Sequence, residues 1–599
     1  MQPSVSQHYN SVISLLEIQL KKKLKADVIL FVFRLITFLS IPAFIFLYFK
    51  YNSNALLLLF SFLIFILFIF GVNLDSKNKF KINLLKNKIQ INQNEQRFLD
   101  HKFHDRPTGS DYSNINPHFA DDFDIFGEGS LFQYLNRCAT KTGEKKLAED
   151  LSNFGLNSEL IKERQSAIKE LSEKSDSIQN FQAYGMLFSE TGNEQTNLQS
   201  WLDETSPKLK WLRFLCISIP ILNASWIALV IAGLFTFNSL LSPILLSLLI
   251  VFLNLRIINK AHVKLGNTAK TFEKYKYLLT LIENETFESA ELIRIQKKLS
   301  SNSIKASESL TYLNKLLSRF DIRYNVIVSF LLNSLVIFDI QIYSLLEKWK
   351  EKNKSIVPQW FSVLSEIDSL ISFAVFAFNN NPSLIYPEIS NEDFLLQAEE
   401  LGHPILHHSV RVCNNVSLSG NPAVMVITGA NMAGKSTFLR TISVNLLLAM
   451  NGSPVCAKKF LFTPCVIMSS IKIQDSLFKN QSYFYAELLR IQEIIKHTQT
   501  NTKTLVILDE ILRGTNTRDK QTGSLGILEK LISQNAVVII ATHDLVIGEL
   551  EKKYPKIVVN QCFEVELTND QLVFDYKLKR GISQKMNASY LMKKLEIID

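Results

Sequence analysis

Val424-Met-Val-Ile-Thr-Gly-Ala-Asn-Met-Ala-Gly-Lys-Ser-Thr437 is the stretch on which the reading of this chain turns. An apolar, β-branched run leads into a glycine-bounded loop ending in Lys-Ser-Thr, and a helical pattern follows from Phe438 to Leu448. The order is strand, loop, helix. Gly429, Gly434, Lys435 and Ser436 fit the spacing G-x-x-x-x-G-K-[ST], a phosphate-cradling loop. The loop's backbone N–H groups and the first turn of the following helix make a concave anion site. Gly429, Ala430, Asn431, Met432, Ala433, Gly434, Lys435, Ser436 and Thr437 are therefore the expected nucleotide-binding residues. Lys435 is expected to place a point charge on the β- and γ-phosphates of ATP, and Ser436 to give a hydroxyl to Mg²⁺. Glycine is expected where backbone must approach phosphate with no Cβ in the way.

Two more apolar runs lie downstream. Thr504-Leu-Val-Ile-Leu-Asp-Glu510 reads as a strand ending in two carboxylates. In P-loop ATPases such a strand lies beside the phosphate-loop strand. Asp509 is expected to join Ser436 in holding Mg²⁺, directly or through water. Glu510 is expected to orient and deprotonate the attacking water. Ala536-Val-Val-Ile-Ile-Ala-Thr-His543 puts His543 at the carboxyl end of a strand, where ligands of open parallel sheets bind. His543 is expected to sense the γ-phosphate, which makes Glu510, His543 and Lys435 the candidate catalytic set. Arg513-Gly-Thr-Asn-Thr-Arg-Asp519 is a polar loop at a position that faces the partner subunit in ABC-type ATPases. Upstream, Asp475 to Glu487 is a polar loop entering a helix. Ser482 either caps that helix or contacts ATP held by the other subunit. Residues 390–599 alternate strands and helices, the pattern of a parallel sheet with covering helices.

The 599 residues are enough for roughly three to five domains. Hydrophobic residues make up 47% and include 42 Phe, unevenly spread. Val28–Tyr48, broken by Arg34 and Pro42, and Ala55–Leu74 are each about 20 residues long, enough to span roughly 30 Å of hydrocarbon. The short polar link between them makes a transmembrane hairpin. Arg34 lies near enough to the basic end to snorkel. Phe214–Phe235 and Leu240–Leu255 form a second hairpin, with Pro243 in a first turn where proline is tolerated. Lys and Arg crowd the outer flanks of both pairs, from Lys21–Lys25, Lys77–Lys88 and Lys208–Arg213 to Arg256–Lys264. Both hairpins therefore point the same way, with the N-terminus and all large soluble segments in the cytoplasm. The first apolar run is too long for the core of a cleavable signal peptide. The formal charge of +9 is compatible with nucleic acid or a membrane surface, and the apolar runs favour the membrane for much of the chain. Six cysteines with no C-x-x-C spacing indicate a reducing compartment and no structural zinc.

Residues 89–122 are polar and read as irregular. From Gly129 onward, Ser130–Leu135, Gly143–Leu151 and Ser158–Leu171 show helical spacing; residues 262–350 read as helical and charged on one face, for example Phe272–Ile282 and Leu310–Phe320; Gln359–Asn379 is another amphipathic run, and all of these read as scaffold.

These residues resemble the MutS family of mismatch-repair ATPases. Thr428-Gly-Ala-Asn-Met-Ala-Gly-Lys-Ser-Thr-Phe-Leu-Arg440 is similar to the family's T-G-P-N-M-G-G-K-S-T-x-x-R, and its Asn431-Met432 pair is more specific than the general loop. Leu508–Thr517 resembles D-E-x-x-R-G-T-x-T, Ala541-Thr-His543 resembles A-T-H, and Ser482–Glu487 resembles S-x-F-x-x-E. Gly402-His-Pro-Ile405 resembles the H-P element, and Tyr576–Gly581 with Ser589-Tyr590 the closing element. Gly129–Leu135, Thr142-Gly143 and Ile161–Gln165 resemble the start of the family's core or lever domain.

Departures accompany the likeness. Ala430, Ala433 and Leu512 replace family Pro, Gly and Gly, while every phosphate-, Mg²⁺- and water-handling residue stays in place. Phe126-Gly-Glu128 and Phe188-Ser-Glu190 match the mismatch-reading tripeptide only by chance, because both lie in or beside core helices.

The expected fold is an α/β P-loop (ABC-type) ATPase domain at the C-terminus, preceded by an all-α MutS-like core/lever domain and two transmembrane helical hairpins. Its segments are a cytoplasmic stretch 1–26, hairpin 27–75, linker 76–122, core 123–390 interrupted by hairpin 213–257, and ATPase domain 391–599. The resemblance implies a homodimer with composite ATP·Mg²⁺ sites, Ser482 acting in trans, and a DNA-associated conformational cycle with a downstream protein partner. The membrane runs add the lipid bilayer as a partner. They also support another reading, a mechanical or signalling ATPase that moves four membrane helices and binds no DNA. A fused ABC transport ATPase fits less well, because four spans make a small pore at most.

Overall fold

A computed structural model describes residues 4–51, 55–153, 155–188, 194–204, 209–265, 269–299, 305–381, 383–472, 483–500, 503–568 and 571–583. Helices α1 (Val5–Lys50) and α2 (Ala55–Leu99) form a long antiparallel pair. A Ser4–Gln7 capping box starts α1, each side chain accepting from the other's backbone N–H. Six short helices follow: α3 (Pro117–Asp122), α4 (Leu131–Leu135), α5 (Lys141–Ser152), α6 (Ser158–Glu173), α7 (Ser175–Gly185) and α8 (Glu194–Asp203). Then come α9 (Leu209–Ile231), α10 (Leu241–Leu265), α11 (Ala269–Asn284), α12 (Ala290–Lys297), α13 (Ala306–Phe320), α14 (Val326–Val336), α15 (Phe338–Asn353) and α16 (Val357–Asn379).

Among the described residues, five helices are long and apolar enough to cross a membrane, and the bent pair α14–α15 would make a sixth. Burial separates them. In their most apolar windows α1, α2, α9 and α10 are only 6–22% buried, whereas α16 is 78% buried. α16 is a core helix packed against α5 and α6. The four exposed helices coincide with the four apolar runs of the sequence.

Two segments differ from expectation. The stretch expected to be irregular from residue 89 stays helical to Leu99. Its polar residues turn inward: Asn92 and Gln179 exchange side-chain hydrogen bonds of 2.9 and 3.0 Å, and Glu95 is buried between two arginines. Residues 326–336, expected within a run charged on one face, form the almost wholly apolar α14.

The C-terminal part holds two sheets. Strands β1 (Glu388–Ile389), β2 (Leu395–Leu401), β3 (Asn414–Ser419) and β5 (Lys459–Phe462) make a small mixed sheet in the order β1-β5-β2-β3. The expected strand–helix alternation therefore starts only with β4 (Ala423–Gly429) and α17 (Lys435–Met450). The larger sheet adds β6 (Val466–Ser470), β7 (Thr504–Asp509), β8 (Val537–Thr542), β9 (Val558–Thr568) and β10 (Gln571–Arg580), in the order β10-β9-β4-β8-β7-β6. It is parallel except for edge strand β10. Helices α18 (Tyr483–Thr498), α19 (Thr517–Ser533) and α20 (Leu550–Lys553) complete it. Both faces are covered: Met425 and Ile427 join a core continuous with the helices, and Val424 and Val426 join a second core with α18 and α19. Strands buried on both faces read as unbroken apolar runs, which is why these were visible in the sequence.

One expectation is corrected here. The strand ending in Asp509 does not neighbour β4; β8 is inserted between β4 and β7. The crossover through α19 joins the neighbouring strands β7 and β8 and carries the chain back toward the sheet centre, so β8 takes the place beside β4.

Candidate functional site

β4 is buried at all seven positions and delivers the loop 430–434 to the carboxyl end of the sheet. The two glycines are needed for reasons beyond ligand approach. At Gly429 a Cβ would lie 2.8 Å from the Phe563 carbonyl oxygen of β9, and at Gly434 (φ +102°) it would press on the Tyr576 ring. Tyr576 is brought there by a register shift in β10, where its own φ is +52°.

Lys435 is buried and folds back into the loop, donating to the Gly429 and Ala430 carbonyls at 2.7 and 3.0 Å. Burial lowers its pKa, opposed by the charges of Glu510 and Asp509. The Ser436 hydroxyl donates to Asp509 Oδ2 at 2.5 Å, so the two expected Mg²⁺ ligands converge although their strands are not neighbours. Burial raises the Asp509 pKa against that hydrogen bond. Burial also pushes the Glu510 carboxyl up, but the His543 hydrogen bond and the charges of Arg513, His543 and Lys435 outweigh it and leave the pKa below the ordinary value. His543 Nδ1 lies 3.1 Å from Glu510 Oε1, and Arg513 Nε lies 3.4 Å from Glu510 Oε2.

Lys435, Ser436, Asp509, Glu510 and Arg513 border a cavity of about 680 Å³, within the range of small-molecule sites, and His543 stands outside its lining. Ala430, Asn431, Met432, Gly434, Lys435, Ser436 and Thr437 line one side, with Asp509, Glu510 and Arg513 at the end of β7. Ala433 is buried behind the loop. The lining also has an apolar part, built from Leu401, Leu406, Val410, Val412 and Phe563. His403, also in the wall, has a buried Nδ1 with no hydrogen-bond partner among the described residues. A glycine-bounded loop at a strand end, a cation, paired hydroxyl and carboxylate, an apolar wall and an unpaired ring nitrogen have the chemistry to hold a nucleotide and a divalent cation.

Ser482 lies outside the described residues, as do the rest of 473–482 and Ser589-Tyr590. Glu487 of the same sequence element is described, and its Oε1 accepts from the Leu512 N–H at 2.7 Å, tying α18 to the turn after Glu510. The family-motif Arg440 does not enter the cavity. It donates to the Asp122 carbonyl and pairs with Asp124 at 2.8 Å, while Asp122 Oδ1 accepts from Ile471 and Lys472 N–H, bolting the sheet to α3. Sequence reading missed Asp122, Asp124 and the apolar wall residues, and it named His403 and Tyr576 only as parts of family-like elements, without placing them at the cavity. The fold brings these groups together from distant segments, which local patterns do not report.

Residues 114–374 match MutS domain III and residues 425–596 match MutS domain V. The chain is 30% identical over 327 residues to the DNA mismatch repair protein MutS of Finegoldia magna, covering 53% of this chain and 34% of that one. It is 28% identical over 323 residues to the DNA mismatch repair protein MutS of Thermotoga maritima, covering 53% and 36%. It is 32% identical over 234 residues to MutS protein homolog 4 of Mus musculus, covering 37% and 24%. The chain thus spans about a third or less of the length of these relatives.

Proposed function

The chain belongs to the MutS family, and on that premise we propose that it is a Mg²⁺-dependent ATP hydrolase of the P-loop type, anchored in a membrane by two helical hairpins. The observation that carries the hydrolase reading is the convergence of Lys435, Ser436, Asp509 and Glu510 on one cavity at the carboxyl ends of parallel strands, with His543 held against Glu510 at 3.1 Å. Bound Mg²⁺ would neutralise charge on the β- and γ-phosphate oxygens of ATP. Ser436 and Asp509 would hold that ion. The loop N–H groups and the Lys435 ammonium, released from the Gly429 and Ala430 carbonyls, would grip the phosphates. Glu510, kept ionised by its neighbours and oriented by His543, would take the proton from the attacking water.

Two chains would face each other head to tail, with Ser482 of one completing the site of the other. The four spans would leave the N-terminus, the helical core and residues 391–599 in the cytoplasm. Relatives are named for DNA mismatch repair, and the same ATP-driven cycle here would act on DNA and on a downstream protein. A second reading is supported by α2, which runs unbroken from the first hairpin into the core and buries Glu95 against Arg106, Arg137 and Asn379. In that reading the cycle moves the membrane helices and no DNA is bound.

Phosphate release measured on wild type, Lys435→Ala and Glu510→Gln tests the hydrolase; activity unchanged in both variants would sink it. Binding of duplex, mismatched and branched DNA by the detergent-solubilised protein across a salt series separates the two readings. Absence of binding at low salt favours the second.

A further inference from the structure

Among the described residues, α14 carries apolar surface that neither the four spans nor the helical core accounts for. Its eleven residues are Val-Ile-Val-Ser-Phe-Leu-Leu-Asn-Ser-Leu-Val, and Val326, Ile327, Phe330 and Leu331 are 78, 74, 55 and 54% exposed. The helix is about 16 Å long, too short to cross roughly 30 Å of hydrocarbon. It ends at Ile337, which is left-handed at φ 46°, and the chain turns by 81° into α15.

Hydrogen bonds fix where α14 stands beside the second hairpin. Just before it, Arg323 donates to Asn259 Oδ1 at 2.6 Å, and Asp321 lies 3.1 Å from His262 Nε2, both partners at the basic base of α10. At its far end the carbonyls of Ser334 and Leu335 face Asn223 Nδ2 of α9 at 3.3 and 2.6 Å, and the same Nδ2 lies 2.9 Å from Ser247 Oγ of α10. Ser247 is twelve residues from Asn259, or about 18 Å along α10. α14 therefore climbs beside α10 from its base to about mid-height and then turns back. Its exposed face continues that of α9 and α10, where Ile217, Ile221, Leu249 and Phe252 are 65, 60, 54 and 69% exposed.

Backbone groups at the reversal find partners inside the protein, although Asn223 Oδ1 is buried with none among the described residues. A helix that stops in water leaves its last carbonyls and the next helix's first N–H groups to solvent, but in hydrocarbon these must find partners inside the protein. Here a side chain from another helix, Asn223, serves the Ser334 and Leu335 carbonyls. Asn333 Oδ1 accepts from the Asp339 N–H at 2.9 Å, and Ile337 O accepts from Ile340 N–H. Both Asn223 and Asn333 are 5% exposed.

We propose that α14 is a re-entrant membrane helix, entering the lipid bilayer from the side of the soluble domains, packing on the second hairpin and leaving by the same side. This rests on the reading of α9 and α10 as spans. Its face is lipid-contacting, and Asn223 is the residue that lets the chain reverse there.

The test uses the full-length protein in phosphatidylethanolamine–phosphatidylglycerol vesicles. Single cysteines replace Phe330 in α14, Phe252 in α10 and the exposed Leu160 in α6 (F330C, F252C, L160C). Reaction with a membrane-impermeant maleimide is followed by mass spectrometry of the peptide carrying the new cysteine. Both F330C and F252C are expected to react at least ~10-fold more slowly than L160C and to become reactive in SDS, because lipid covers them. Leu331→Cys should behave as F330C does and replaces it if F330C does not fold. F330C and L331C reacting as fast as L160C while F252C stays protected would overturn the re-entrant helix and leave the hairpin standing. Fast reaction at F252C as well would remove the hairpin reading and this proposal together. A disulfide-linked dimer through residue 330 would put a second copy on this face instead of lipid, and would also overturn the proposal.

Discussion

The Glu510–His543 contact of 3.1 Å pairs a half-buried carboxylate with an exposed imidazole. Glu510→Gln preserves shape and removes the proposed base, so it is expected to lower phosphate release by at least ~10²-fold while ATP binding is kept. His543→Ala removes only orientation and charge, and about a tenfold loss is expected. Combined, the two losses should be less than additive, because both act through one carboxylate.

Leu512 poses a different residue-scale question: it is left-handed (φ 60°) where family members carry glycine, yet it is buried. The backbone strain costs about 1–2 kcal/mol. Removing a buried leucine side chain costs about 2–5 kcal/mol. Burial wins, so Leu512→Gly is expected to lower unfolding stability by about 1–3 kcal/mol, measured by denaturant titration.

His403 gives a pH signature. Burial first, then the charges of Arg440 and Arg411, depress its pKa to about 4. The unfolded chain takes up this proton below about 6.5 and the folded chain only near 4, so stability falls as pH drops between those values. At pH 5 the loss is at most about 2 kcal/mol. His403→Gln should remove that share of the difference between pH 7 and pH 5 melting curves; an unchanged difference would contradict it.

At the scale of elements, α2 joins a membrane-length apolar half to a polar half that docks in the core. Glu95 there accepts from Arg106 and Arg137 at 2.9 and 3.1 Å and from Asn379 Nδ2 at 2.7 Å, and Asn379 in turn accepts from Tyr9 of α1 at 2.6 Å. The arginines outweigh the burial penalty and hold the Glu95 pKa near 2. Glu95→Ala would leave a buried Arg137 without its carboxylate, and a loss of about 3–5 kcal/mol is expected. Tyr9→Phe removes one buried hydrogen bond, and about 1 kcal/mol is expected, read by the same thermal melts.

The docking half of α2 also shows where sequence reading stops. Periodicity and apolar run length report packing and exposure, so the β4, β7 and β8 runs, the four long exposed apolar helices and most core helices were legible. A helix whose buried face carries Asn92 and Glu95 reads as a polar linker, because its satisfaction comes from residues far away in sequence. Strand order escaped for the same reason: Asp509 meets Ser436 whether or not β7 neighbours β4, so the local motifs are silent on the β8 insertion. α14 escaped because eight apolar residues in a stretch of eleven are too few for a span and too many for a surface helix.

For the whole molecule, the open question is what closes the site. The cavity is bounded on one side by the loop, whose Met432 is 80% exposed at φ +68°, an apolar side chain held outward at the mouth. A second chain covering this mouth would bury Met432 and bring its own Ser482 to the nucleotide. The arrangement makes a complementation experiment decisive. Lys435→Ala disables the loop of the chain that holds ATP, and Ser482→Ala disables the chain that reaches across. Each variant alone should release little phosphate, since both sites of its homodimer carry the defect. In a mixed dimer the two defects fall on the same composite site, and the other site is intact. Co-purified mixed dimers, each variant with its own affinity tag, are therefore expected to recover about half of wild-type phosphate release if the two sites fire independently, and less if they are coupled. Recovery no greater than the average of the two homodimers would mean that each chain completes its own site, and the head-to-tail dimer would have to be abandoned.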